Sequence, residues 1–317
     1  MNTESKIYLA GHQGMVGSAI NRELTKQGYR NIITRSRKEL DLTRQADVET
    51  LFREVRPEIV IIAAAKVGGI FANNTFRAEF IYDNIAIETN IIHAAHNFES
   101  EKLLFLGSSC IYPRESKQPM KEEYLLTGEL EPTNEPYAVS KIVGIKLCEN
   151  YYRQYNRNFI SVMPTNLYGP NDNFDLKTSH VIPAMIHRIH DAKVRNSPSV
   201  TVWGTGKPRR EFMYVEDMAE ACVFILKSVD ASSLYSRDIT HLNVGTGNDI
   251  TIANLAILIK EVVDYKGKIK FDARKPDGII RKLLDVRRLN ELGWAYKTNL
   301  RDGCITTYDW FLKNFSK

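Results

Sequence analysis

The chain has 317 residues, 43% hydrophobic and 26% charged, with a formal net charge of +5 at pH 7. That length suits one large α/β domain with an appended lobe, or two domains, and the composition is that of an ordinary globular protein without repeats or low-complexity segments. The dispersed positive charge holds no basic run that would track a nucleic-acid backbone, and the longest apolar run, Ile59 to Ala65, is far too short to span a bilayer, so neither nucleic acid nor membrane is an expected partner.

Met1-Asn-Thr-Glu-Ser-Lys6 leads straight into a strand-like segment with no secretory pattern, which makes a cytoplasmic location the expectation. Lys6 to Ala10 reads as a buried strand, followed by Gly11-His-Gln-Gly14-Met-Val-Gly17 and an amphipathic helix to about Gln27. Alternation then continues: strand 31–34, helix 47–55, strand 58–64, helix 85–97 and strand 102–107. Apolar strands separated by helices predict a Rossmann-like, doubly wound parallel sheet. A helix carrying Tyr137 and a strand 159–163 follow, and Pro164-Thr-Asn-Leu-Tyr-Gly-Pro170 marks the expected boundary between residues 1–167 and a smaller α/β C-terminal lobe, 168–317. Parts of that lobe are expected to pack back on the first domain. Within it the pattern predicts helices 182–192 and 252–263 around a Gly-, Pro- and Arg-rich loop from Trp203 to Arg210.

Glycines at 11, 14 and 17 between a first strand and a first helix let the backbone turn tightly and approach a pyrophosphate at the helix N-terminus. An NAD enzyme usually carries a carboxylate at the end of its second strand, to grip the ribose 2′-hydroxyl. Here Thr34-Arg-Ser-Arg37 stands in that place, and guanidinium groups would pair with a 2′-phosphate, so NADPH is the expected cofactor.

Tyr137 and Lys141 are one helical turn apart, which puts the ammonium on the phenol's face, where it is expected to lower the phenol's pKa. With Ser108, 29 residues upstream at a strand end, they can polarise and protonate a carbonyl. Cys110, Cys148, Cys222 and Cys304 are widely spaced, with no zinc-type Cys/His cluster, and read as free thiols without a metal site. His93, His96, His187 and His190 read as helix surface or packing residues. Trp203 is either a core anchor or a stacking face for a base, and Arg210 either a solvated charge or a pyrophosphate clamp.

In this position the Ser, Tyr and Lys constellation resembles the extended short-chain dehydrogenase/reductases, which act largely on nucleotide sugars. The likeness narrows through Ala64-Ala-Lys-Val-Gly-Gly-Ile70, Gly107-Ser-Ser-Cys-Ile-Tyr-Pro113, Glu131-Pro-Thr-Asn-Glu-Pro-Tyr137, Ser179-His-Val-Ile-Pro183 and Lys275-Pro-Asp-Gly278 to the branch of 3,5-epimerase-4-reductases acting on GDP-4-keto-6-deoxy-D-mannose. The resemblance implies epimerisation at C3 and C5, NADPH-dependent reduction at C4 to give GDP-L-fucose, and a homodimer. A relative acting on another GDP-4-keto sugar, a 3,6-dideoxyhexose or 6-deoxyheptose, is the alternative.

By the same resemblance Ser108, Tyr137 and Lys141 form the reductase triad, and Cys110 and His180 the acid/base pair of epimerisation, with Cys110 as base. Ser109, Arg188, Trp203, Arg210 and Asp277 fall at substrate positions. The cofactor positions are Gly11, Gln13, Gly14, Met15, Val16, Gly17, Arg37, Leu106, Gly107, Lys141, Pro164, Asn166, Leu167 and His180. Gln13 stands where this branch often has Arg beside the 2′-phosphate, which leaves more of the NADPH preference resting on Arg37. Retention of both Cys110 and His180 argues against reduction alone.

Overall fold

The computed structural model describes residues 1–176, 178–275 and 277–315. β1 (Ile7–Ala10), α1 (Met15–Lys26), β2 (Ile32–Ile33), α2 (Gln45–Val55) and β3 (Ile59–Ile62) open the chain. A short α3 (Ile70–Thr75) leads to the long α4 (Arg77–Asn97), β4 (Lys102–Leu106), α5 (Glu135–Tyr155) and β5 (Asn158–Pro164). Every residue of β1, β3 and β4 is buried, because helices cover both faces of the sheet they form.

The second half runs through β6 (Asn166–Tyr168), α6 (Val181–Val194), β7 (Ser199–Trp203), β8 (Arg209–Tyr214), α7 (Val215–Ser228), α8 (Ala231–Tyr235) and β9 (Leu242–Val244). β10 (Asp249–Thr251), α9 (Ile252–Val263), β11 (Lys268–Asp272), β12 (Arg281–Lys282), α10 (Arg287–Glu291) and α11 (Leu300–Asn314) complete it. The main sheet is six-stranded and wholly parallel, in the order β2-β1-β3-β4-β5-β9. β9 therefore returns from the second half to close the far edge, and α7 packs beside α1 in one core cluster. The smaller lobe holds β10-β8-β12, with β6 on β8, and the pair β11-β7, over a core shared by α6, α9 and α11.

Two elements differ from the sequence reading. The second strand shrinks to Ile32 and Ile33, half-exposed at the sheet edge and paired with Ile7 and Tyr8. The helix expected from residue 85 begins at Arg77. Its first turns hide their period because, among polar neighbours, only Phe80 and Asn84 are buried there, one turn apart. Asn84 then pins the loop after β3: its Oδ1 accepts from Lys66 N at 2.7 Å and its Nδ2 donates to Lys66 O at 3.0 Å.

Candidate active site

The glycine turn follows β1 where the strand order reverses, the place at which open α/β sheets bind ligands. Gly11 has φ +88°, and a Cβ there would sit 2.6 Å from Ala64 N; at Gly17 it would sit 2.1 Å from Gly11 O. The turn is thus closed against the sheet by backbone alone, while Gln13 and Gly14 stay exposed and Gly14 precedes the first turn of α1 with Met15 and Val16. Arg37 is exposed in the turn after β2. A carboxylate does lie nearby, Glu39, but it accepts from Ser36 N and Oγ, both at 2.7 Å, and these bonds hold its pKa down. Leu106 and Gly107 end β4, and Pro164, Asn166 and Leu167 span the ends of β5 and β6, so the expected cofactor positions gather along one edge of the sheet.

Ser108 caps the short turn Ser109–Ile111, its Oγ accepting from Cys110 N at 3.4 Å. The same side chain opposes the rise in pKa of both the Cys110 thiol and the Tyr137 phenol. One serine therefore joins the two groups that sequence reasoning assigned to separate steps. Lys141 does share Tyr137's face, its Nζ 5.6 Å from that ring's centroid and 4.9 Å from Phe105's. The expected lowering of the phenol's pKa is absent: burial pushes it well above the ordinary value, and Cys110 and Glu88 push it further. The physical reason is that the Lys141 ammonium is bound to Glu88 Oε1 at 2.7 Å, which offsets its field at the phenol.

His180 is exposed at the N-cap of α6, and its imidazole is pulled below its ordinary pKa by the surrounding protein and then by the Lys282 ammonium. The Cys110 thiol is pushed up by burial, against the opposing effects of Lys282, the Ser108 hydrogen bond and Lys141. Lys282 is thus the cation common to the expected acid/base pair, and it shares a cavity with Cys110, Ser109 and Asn134. Sequence reasoning missed both Lys282 and Glu88. Lys282 falls immediately before Leu283, between recognisable segments, and Glu88 lies on a helix with no motif.

In the smaller lobe Arg188 projects from α6 so that its guanidinium carbon lies 5.5 Å from the Trp203 ring centroid, and Lys275 Nζ lies 5.3 Å from the same centroid. Trp203 is 61% exposed at the end of β7, which removes the core-anchor alternative. Arg210 is the register partner of Lys282 across β8 and β12, so two cations sit side by side. Burial lowers the pKa of Arg210 while Asp277 opposes that shift. Asp277 accepts from Thr205 N and Thr205 Oγ1, both at 2.7 Å, and so ties the loop after β7 beside Arg210. Ser109 is buried next to Cys110. Paired cations beside an exposed indole with a cation at its face suit a diphosphate joined to an aromatic base.

Residues 7–245 match the family described as the NAD dependent epimerase/dehydratase family. The chain is 55% identical to a GDP-L-fucose synthase from Escherichia coli (strain K12), over 98% of each chain. It is likewise 55% identical to GDP-L-fucose synthase 1 from Arabidopsis thaliana, over 98% of this chain and 94% of that one. Among solved structures, a GDP-mannoheptose C4 reductase from Campylobacter jejuni with NADP bound is 37% identical, with a TM-score of 0.91, over 98% of this chain and 99% of that one.

Proposed function

The chain belongs to the NAD dependent epimerase/dehydratase family, and on that premise we propose that it converts GDP-4-keto-6-deoxy-D-mannose to GDP-L-fucose, inverting C3 and C5 before an NADPH-dependent reduction at C4. The observation that carries this reading is the gathering of Ser108, Cys110 and Tyr137, with Ser108 Oγ accepting from Cys110 N and its side chain acting on both thiol and phenol, which supports carbon-acid and carbonyl chemistry around one substrate oxygen.

The protons on C3 and C5 are acidic because the C4 carbonyl between them takes up charge as an enolate. Ser108 and Tyr137 donate hydrogen bonds to that oxygen. Cys110 and His180 exchange protons with the carbon: one removes a proton from one face, the other returns one to the opposite face, and the centre inverts. Cys110 acts as base and His180 as acid. Arg210 and Lys282 hold the diphosphate, and Trp203 with Arg188 holds the base. The tight glycine turn, with no room for a Cβ at Gly11 or Gly17, and the exposed Arg37 after β2 fit the pyrophosphate and 2′-phosphate of NADPH. Bound there, NADPH would supply hydride to C4, and Tyr137 gives its proton to the C4 oxygen.

The enzyme works as a homodimer in the cytoplasm, pairing through α4 and α5. Among the described residues no helix is long and apolar enough to cross a membrane. The likeness to a GDP-mannoheptose reductase favours a second reading, with another GDP-4-keto sugar as substrate.

The test is incubation with GDP-4-keto-6-deoxymannose and NADPH in D2O, with deuterium mapped at C3 and C5 by NMR. Deuterium is expected at both carbons, with one NADPH consumed per product; deuterium at neither carbon removes the epimerase half. Cys110→Ala is expected to lose the exchange and GDP-L-fucose while some direct C4 reduction survives, and wild-type GDP-L-fucose from that variant removes Cys110 from the mechanism.

A further inference from the structure

The seam between α4 and α5 holds a carboxylate that the reaction scheme does not use. Glu88 is fully buried, with Oε1 2.7 Å from Lys141 Nζ and Oε2 without a hydrogen-bond partner among the described residues. Lys141 is equally sheltered, its side chain 2% exposed.

A purely structural buried carboxylate looks different in this protein. Glu211, also fully buried, accepts backbone N–H bonds from Thr246 at 2.6 Å, Gly247 at 2.7 Å and Leu284 at 2.9 Å, and so fastens three segments. Glu88 fastens one ammonium. Burying an ion pair with a lone oxygen left over gives less stability than a well-packed apolar pair, so stability is a weak reason for it. A buried ammonium without a counter-charge is costly, and Glu88 is the counter-charge here.

The groups facing the pair are few. Tyr137 from α5, Phe105 from β4 and Cys110 from the loop after β4 lie around Lys141. Glu88 also faces Cys148 on α5. Burial drives the Glu88 carboxyl up to about 7, against the opposing charge and hydrogen bond of Lys141.

We propose that Glu88 is a positioning residue for the C4 reduction, its carboxylate fixing the Lys141 ammonium in one place beside Tyr137. This rests on the reaction proposed above: in the C4 reduction the phenol proton passes to the C4 oxygen, and the phenolate left behind forms next to a fixed positive charge. Glu88 touches neither substrate nor reacting atoms: it fixes Lys141, and its charge also helps the phenol keep its proton until the C4 oxygen takes it.

Glu88→Gln keeps the shape and one acceptor oxygen and removes only the charge. Wild type and variant are assayed side by side with GDP-4-keto-6-deoxymannose and NADPH across pH, following NADPH loss and, in D2O, exchange at C3 and C5. The alkaline limb of kcat for reduction is expected to move to lower pH by at least about one unit, roughly a tenfold loss on the alkaline side, while the exchange keeps its own profile. A folded variant with an unmoved alkaline limb overturns the proposal; a wild type that neither exchanges nor consumes NADPH overturns the substrate reading instead. Should Glu88→Gln fail to fold, Glu88→Leu with Lys141→Met is expected to restore the fold, because no charge is then stranded. Failure of that double variant too makes Glu88 a packing residue.

Discussion

At the scale of single residues, Lys282 is the cation that acts on both Cys110 and His180, after burial. Its ammonium opposes the burial that pushes the Cys110 thiol up, and it adds to the burial that pulls His180 down. Removing it with Lys282→Met should raise both pKa values, so the two effects have the same sign. Less thiolate would exist at a given pH, and the imidazole would hold its proton to higher pH. The pH window for deuterium exchange at C3 and C5 should therefore move upward, by about one unit if the lost interaction is worth roughly 1.4 kcal/mol. Exchange rates measured by NMR across pH check this, and an unmoved or lowered window would mean that Lys282 does not act on the pair. Ser108, Tyr137 and Lys141 were legible because local motifs and a strand end declare them. Glu88 was not, since it meets Lys141 from 53 residues away on another helix and no spacing rule reaches that far.

At the scale of elements, the small sheet β10-β8-β12 presents Arg210 and Lys282, and Asp249 is its clamp. Its Oδ1 bonds Arg209 of β8 at 2.6 Å, and its Oδ2 bonds Arg281 of β12. Burial works against the charged carboxyl, but those two guanidinium bonds win and hold its pKa below the ordinary value. A depressed carboxyl pKa stabilises the fold above the unfolded-state value of about 3.9, and the contribution fades as pH falls through the lower folded value. Asp249→Asn should accordingly cost about 1 kcal/mol at pH 7, kept modest by the 42% exposure of both arginines, and the difference should begin to shrink below about pH 4 and disappear only once pH falls past the lowered folded value. Urea unfolding of both proteins at several pH values checks it; a loss undiminished at low pH would assign Asp249 a role other than charge. The sequence predicted the long apolar elements well, as with the helix at 252–263, whose period is clean. It failed where burial is sparse, at the first turns of α4 and at the two-residue edge strand β2. It gave no hint of Asp249 either, because a three-residue strand carries no period to read.

At the scale of the whole molecule, the two halves of the chain share one core. Ile20 and Leu24 of α1 lie in the same buried cluster as Met218, Cys222 and Ile225 of α7, and Trp294 belongs to it as well. β9 pairs with β5 through Leu242, Asn243 and Val244, closing an edge that residues 1–167 alone would leave open. The site straddles the same junction, with Ser108, Tyr137 and Lys141 on one side and His180, Arg188 and Lys282 on the other. Motion between the halves would spoil distances on which both stages of the chemistry depend. The three tryptophans provide the test, because Trp294 packs under the main sheet, Trp310 packs against the smaller lobe's core, and Trp203 is exposed. In variants that keep only Trp294 or only Trp310, urea unfolding followed by fluorescence is expected to give coincident midpoints and slopes, as one cooperative unit requires. An earlier transition at Trp310 would mean that the smaller lobe opens by itself, and the rigid junction argued from β9 and α7 would then not be what fixes the site.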